Sequence, residues 1–195
     1  MNMRFNETKA TQAAAHLIKR REQGYMSYVK LIKLLYFSDR EALLRWGSPI
    51  TADIFYSMDR GPVLSRVHDL VTEGASPQES HFWEEHLKPY GDHEVKMVVD
   101  PLNGELSEAE EELLDEVFNL YGNLSRWDIV EEARKLPEWE DPQGGRIPIR
   151  YADILRFGKK TPEQIEAILF DLDASEHVHR VLAASEQVHR VLAAS

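Results

Sequence analysis

The sequence contains no cysteine among its 195 residues. Disulfide bonds, zinc sites built on thiolates and cysteine nucleophiles are therefore excluded. A chain without disulfides is compatible with a reducing compartment, and we expect a cytoplasmic protein.

Long apolar runs are also missing from the first part of the chain. The run from Ala13 to Ile18 is interrupted by His16, and it is far shorter than the roughly 20 residues that a membrane-spanning helix needs. The opening residues, MNMRFNETK, lack the apolar core of a signal peptide. We therefore expect a soluble protein with no membrane partner.

Basic residues are few compared with acidic ones. The chain has 23 Lys and Arg against 34 Asp and Glu, which gives a formal net charge of −11. Non-specific affinity for nucleic acid comes mainly from cations that neutralise phosphates, so nucleic acid is not expected as a partner. An acidic surface favours fast association with a basic protein, and it also simply keeps a protein soluble.

The sequence lacks the motifs of the common catalytic and metal sites. It has no G-x-S-x-G elbow, no P-loop and no dinucleotide fingerprint. The run HFWEEH places His81 and His86 five residues apart, about 140° around a helix, whereas a helical zinc site needs a spacing of four. We expect no catalytic residue, no metal and no cofactor, and hence a protein that is not an enzyme.

A long central helix is the strongest structural prediction. The run YVKLIKLLYFSDREALLRW follows Ser27 and is apolar around most of its circumference, which is typical of a buried helix. Its polar residues Lys30, Lys33 and Arg40 fall within one arc, which we expect to reach solvent or a partner. Further along, Ser107 and Glu110 predict a capping box at the start of an amphipathic helix.

Strand patterns are short and rare. DIFYSMD and EVKMVVD both alternate in polarity and are predicted to pair with each other. Between the first of them and the next helical stripe, Gly61 and Pro62 predict a strand-to-helix corner with Pro62 at the first helical position. The expected fold class is thus mainly α: a single compact helical domain with one small two- or three-stranded antiparallel β element, close to an all-α protein.

The C-terminal tail contains a tandem duplication, SEHVHRVLAA followed by SEQVHRVLAA. Ten residues advance a helix by about 1000°, about 80° short of whole turns, so the two copies cannot extend the same apolar seam. We expect the second copy to be exposed, frayed or turned toward another chain, and we interpret the repeat chiefly as a recent duplication without function. The predicted division is a domain at 1–170 and a helical tail at 171–195.

Two stretches of the chain resemble the SocA-like Panacea domain family, which is also met in phage-associated proteins. The first, from the central helix to HDLV, carries a K-L-x-K-L-L-Y block and a G-P-V block; the second is LSRWDIVEEARKLPEWEDP with its Pro-x-Trp ending. The matching structural residues are Lys30, Leu31, Lys33, Leu34, Leu35, Tyr36, Gly61, Pro62, Val63, Pro137 and Trp139. The resemblance covers about residues 8–170, and where family members often carry a histidine this chain has Ala133 and Arg134.

The resemblance implies a non-catalytic antitoxin that binds and neutralises a cognate toxin encoded beside it, and it connects the chain with phage defence. The Arg60-Gly61-Pro62 corner is interpreted chiefly as structural. Tyr56, Arg60, Lys33 and Trp139 are the predicted partner-binding residues, since Tyr, Trp and Arg are favoured interface anchors. An adaptor that delivers the toxin to a cellular protease is the alternative, and a hydrolase with an unrecognised carboxylate site is a third reading.

Overall fold

The structure of the protein is a computed structural model that describes residues 5–74 and 81–193, with side chains described as far as residue 178 except at 176. Within these ranges the chain forms eight helices and six strands. Their order is α1 (Glu7–Lys19), β1 (Tyr25–Ser27), α2 (Tyr28–Trp46), β2 (Phe55–Met58), β3 (Gly61–Leu64), α3 (Ser65–Thr72), α4 (Phe82–His86), β4 (Leu87–Tyr90), β5 (Glu94–Met97), α5 (Glu108–Tyr121), α6 (Asp128–Arg134), β6 (Ile147–Ile149), α7 (Tyr151–Phe157) and α8 (Pro162–Ala193).

Helix α2 is the centre of the fold, as its apolar circumference predicts. It packs against α1, α5, α6 and α7 and against strand β3. Leu31, Leu34, Leu35 and Tyr36 are buried in the single core cluster of the described residues. Gly47 ends the helix in the left-handed conformation, and a bulky side chain there would meet Ile168 of α8.

The predicted fold class is wrong in its β content. Instead of one small β element, the described residues form two three-stranded antiparallel sheets, in the orders β1-β5-β4 and β3-β2-β6. The fold is mixed, with more helix than strand, and it is not all-α. The pattern failed because the strands have only three or four residues, too few for an alternation of polarity to stand out.

The predicted pairing of DIFYSMD with EVKMVVD is also wrong. Strand β2 pairs with β3 and β6, whereas β5 pairs with β1 and β4. The corner at Gly61 is a tight hairpin in which Met58 faces Gly61 across the turn. Pro62 lies in strand β3 and not at a helix start, and an edge strand tolerates its missing N–H.

Two buried carboxylates hold the backbone around the hairpin: Asp53 fixes the start of α3, and Asp39 fixes the loop before β2. Asp53 accepts hydrogen bonds from the backbone N–H groups of Arg66 (2.9 Å) and Val67 (3.0 Å). Asp39 on α2 accepts bonds from the N–H groups of Ile50 and Thr51, both at 3.0 Å. Burial raises the pKa of Asp39 to about 7 and that of Asp53 to about 6. These bonds fix the segment that leads into the β2–β3 hairpin.

The helix start that the Ser107/Glu110 capping box predicts is confirmed. Ser107 and Glu110 form the reciprocal capping box of α5. At the start of α8, the N–H of Thr161 donates to the Gln164 side chain at 2.9 Å. Helix α8 has 32 residues; the surroundings of the second copy of the duplication lie outside the described side chains. No helix in the part of the chain that the structure describes has the length and hydrophobicity required to cross a bilayer.

Candidate partner-binding surface

The β2–β3 hairpin is held from outside by the last residue of α6 and the segment that follows it. The indole Nε1–H of Trp139 donates to the Met58 carbonyl at 3.0 Å, and the Arg134 guanidinium donates to the Asp59 carbonyl at 2.6 Å. The N–H of Gly144 donates to the Asp59 carboxylate at 2.9 Å. The tip of the hairpin is therefore fixed by three long-range hydrogen bonds, and Arg60 is presented from a rigid turn.

Lys33 lies beneath the hairpin. Its side chain is 1% exposed, and its ammonium group donates to the Pro62 carbonyl at 2.5 Å. Burial, and secondarily the charge of Arg134, lower the pKa of Lys33 to about 7. The expected solvent-facing arc of α2 is thus wrong for Lys33, and also for Lys30, which is buried and donates to the Gly122 carbonyl at 2.9 Å. Both lysines tie α2 to backbone carbonyls of distant segments.

Gly61 is required by the hairpin. Its φ is +86°, and a Cβ at this position would lie 3.4 Å from both the Ala133 Cβ and the Lys33 Nζ. Residues with a side chain lose about 1–2 kcal/mol in this left-handed region. The two side chains also confine any Cβ that is added here, so the position selects glycine.

We predict that Gly61→Ala lowers the free energy of unfolding by about 1–2 kcal/mol, because alanine is strained at positive φ. Urea denaturation measures the change. Gly104→Ala is the matched control, since Gly104 has no positive φ and no atom near its Cβ position. Equal stability of the two variants would contradict the prediction.

A buried carboxylate network joins the Pro-Glu-Trp segment to the central helix. The carboxylate of Glu138 is completely buried and accepts hydrogen bonds from Arg40 Nε at 2.6 Å and from the Tyr36 hydroxyl at 3.1 Å. Burial and the neighbouring Glu138 carboxylate raise the pKa of Tyr36, so this hydroxyl remains a donor. The network places Trp139, the next residue, against the hairpin. Sequence reasoning missed Glu138, although it stands inside the quoted PEW segment.

Arginine and aromatic side chains pair around the hairpin. The guanidinium of Arg60 lies 5.5 Å from the ring centroid of Trp127, and that of Arg134 lies 5.1 Å from the ring of Trp139. These separations are within the range of cation–π attraction. A third pair lies at the same sheet. The guanidinium of Arg146, the residue directly before β6, lies 5.0 Å from the ring centroid of Tyr56 on β2.

We call these six side chains the arginine–aromatic surface: Tyr56, Arg60, Trp127, Arg134, Trp139 and Arg146. Trp127 is 50% exposed, Arg60 and Arg146 are exposed, and the others are half-buried. Three of the predicted partner-binding residues, Tyr56, Arg60 and Trp139, therefore come together here. Lys33 is not one of the six side chains, but it lines the cavity beside the hairpin. Trp127 and Arg146 were missed, although Trp127 stands within the quoted LSRWDIV segment.

A cavity of about 290 Å³ opens beside the hairpin. Met58, Val63 and Ile32 give it an apolar floor, and Arg60 and His68 line it as well. Its volume is close to the lower limit for small-ligand sites. An apolar depression of this kind next to exposed aromatic and arginine side chains also suits one inserted side chain of a partner protein.

Comparison with known proteins agrees with the motifs. The family model of the antitoxin SocA-like Panacea domain matches residues 31–140, which is more than half of the chain. This range includes α2 from Leu31 onward, the hairpin and the Pro-Glu-Trp segment, although it ends before Arg146. No curated protein and no solved structure shows significant similarity to the chain. The matched range contains most of α2, the hairpin and the Pro-Glu-Trp segment, which build the surface described above. Since this match covers more than half of the chain, the chain belongs to the family of SocA-like antitoxins with a Panacea domain.

Proposed function

We propose that this protein is an antitoxin that neutralises a cognate toxin by direct binding through the arginine–aromatic surface. The observation that carries the proposal is the exposed Trp127 ring, which is flanked by Arg60 on a hairpin that three long-range hydrogen bonds hold in place. Membership of an antitoxin family supports the function, and the geometry supports the location.

The composition of the surface suits a binding hot spot. Truncation to alanine causes the largest losses of binding energy when the residue is Trp, Tyr or Arg. Here the rings and guanidinium groups already contact one another, so less side-chain entropy is lost on binding than for free side chains.

Charge supports a partner of defined chemistry. Three guanidinium groups lie on this surface in a chain whose net charge is −11. Arginine binds carboxylates in a bidentate manner, so the toxin segment that docks here is expected to carry Asp or Glu beside an apolar side chain for the neighbouring cavity. The acidic remainder of the antitoxin would then repel wrong orientations of that segment.

The test uses the toxin encoded beside the gene, co-expressed with the full-length antitoxin. We expect Trp127→Ala and Arg60→Ala each to weaken binding by about 2 kcal/mol or more, roughly 30-fold, and to abolish the rescue of growth at low antitoxin expression. Trp46→Ala is the matched control, because Trp46 is 46% exposed at the far end of α2. Calorimetry with purified proteins measures affinity, and thermal melting verifies the fold of each variant.

Two outcomes would contradict the proposal. If folded Trp127→Ala and Arg60→Ala variants bind the toxin like the wild type, the surface is wrong. If the purified antitoxin does not inhibit the toxin, and rescue requires a cellular protease, the protein acts as a proteolytic adaptor. Measuring the toxin level in strains with and without the protease separates the two mechanisms.

A further inference from the structure

A second cavity, of about 490 Å³, lies at the N-terminal end of α2. One of its lining residues, Arg126, also lies 5.1 Å from the ring centroid of Trp127, so the cavity adjoins the arginine–aromatic surface. Its walls come from the loop after α1, from strands β1 and β5, and from the loop before α6. The volume falls within the range of small-molecule sites in proteins. The question is which ligand its lining would attract.

Three cations line this cavity: Arg21, Lys30 and Arg126. Within the described ranges, none of the three has a carboxylate at ion-pair distance. Their neighbours on α1 are paired, for example Lys19 with Asp100 at 2.6 Å and Arg20 with Asp115 at 3.6 Å. In a chain with a large excess of carboxylates, this cavity has more cations than carboxylates in its lining.

Mutual repulsion accompanies this arrangement. Burial, and secondarily the charge of Arg21, lower the pKa of Lys30. Lys30 donates one hydrogen bond, to the Gly122 carbonyl, and an ammonium group has three donors. An anion between Lys30 and Arg21 would offset the repulsion between these two cations and accept hydrogen bonds from the remaining donors.

The start of α2 contributes a further donor. The Oγ of Ser27 is buried and has no hydrogen-bond partner among the described residues, and the side chain of this N-cap residue makes no capping bond. Leaving a buried hydroxyl without a partner is costly. The first turn of this 19-residue helix also contains no acidic residue, so its positive end is not compensated from within the helix.

Two carboxylates, Asp92 and Glu94, line the same cavity. The Glu94 carboxylate turns back over the β4–β5 turn. Its Oε2 is 3.7 Å from the position that a Cβ atom would occupy at Gly91. Glu94 faces Ser27 across strands β1 and β5, and its carboxylate lies toward the turn. The two carboxylates offer acceptors for hydroxyl or amino groups of an organic ligand.

From these observations we propose that the cavity binds the phosphate group of a small molecule, with Arg21, Lys30, Arg126 and the Ser27 hydroxyl as its donors. Phosphate matches this donor set because it offers several acceptor oxygens and up to two negative charges. The source of the group is free phosphate or a phosphate monoester. A monoester would place its organic part toward Asp92 and Glu94.

The experiment titrates the full-length protein with inorganic phosphate, ribose 5-phosphate and adenosine monophosphate at constant ionic strength, followed by calorimetry and thermal melting. We expect saturable binding of at least one of the three and a dissociation constant about tenfold higher in Arg21→Gln. Arg126→Gln and Ser27→Ala are the second and third variants. Arg156→Gln is the control and should bind like the wild type, since Arg156 pairs with Asp153 on α7.

Each outcome decides a point. Binding of inorganic phosphate alone identifies the free ion as the source, and tighter binding of a monoester identifies a phosphorylated compound. Absence of saturable binding of all three compounds would overturn the proposal, as would equal affinities in the wild type and the folded Arg21→Gln variant. No toxin enters this experiment, so its result is independent of the proposed antitoxin mechanism.

Discussion

Replacing Glu138 by alanine is expected to lower the free energy of unfolding by about 3–5 kcal/mol. The carboxylate is fully buried, and its removal leaves the Arg40 guanidinium without its 2.6 Å partner in a site that is largely closed to water. The Tyr36 hydroxyl loses its acceptor as well. Removing one member of a buried ion pair costs more than the pair contributes, because the remaining charge stays desolvated.

Urea denaturation with parallel thermal melting measures this effect. Glu140→Ala is the matched control, because Glu140 is two residues away, exposed, and bonded to Ser57 only through its backbone N–H. The double variant Arg40→Met/Glu138→Leu removes both charges and is expected to recover part of the loss. A Glu138→Ala variant as stable as Glu140→Ala would show that the network contributes nothing to the fold.

The stability of the wild type is expected to pass through a minimum near pH 7. The pKa of Lys33 is about 7 in the folded protein and 10.5 ordinarily, so between these values the unfolded chain binds the additional proton and stability rises with pH. The pKa of Asp39 is raised to about 7 and that of Asp53 to about 6 in the folded protein. Between about pH 4 and these values the folded chain binds more protons than the unfolded chain, so stability falls as pH rises.

The variant Lys33→Met tests the rise of stability above pH 7. Each proton that is bound differently changes stability by about 1.4 kcal/mol per pH unit, and the variant is expected to lose most of that slope between pH 7 and 9. Urea denaturation across this range measures the slope. Lys88→Met, at an exposed position on β4, should keep the wild-type profile. If Lys33→Met retains the full slope, the buried lysine is not its source.

Long periodic segments of the fold could be predicted from the sequence. Helix α2 has 19 residues, so its apolar circumference is unambiguous, and the capping box of α5 is a local signal contained within four residues. The two sheets could not be predicted, because their strands are short and their pairings connect distant segments, such as β1 with β5 and β2 with β6. Pro62 was assigned to a helix start because an edge strand and a first helical turn both tolerate it.

The candidate site follows from the sequence in part. Tyr56, Arg60 and Trp139 flank recognisable motifs and are therefore predicted to bind the partner, and the structure brings them around one hairpin. Lys33 was assigned to the surface because lysine on a helix is normally solvated. Its acceptor is a carbonyl 29 residues away, and the acceptor of Lys30 is 92 residues away. Such partners are visible only once the chain has folded.

The Glu138 network also has a consequence for protein synthesis. Arg40 and Glu138 are 98 residues apart, so at a translation rate of about 5–20 residues per second Arg40 is synthesised roughly 5–20 s before its buried counter-ion. During that interval one side of the apolar surface of α2 stays exposed to solvent. A chain that stalls before the Pro-Glu-Trp segment will therefore present quality-control proteases and chaperones with an open core.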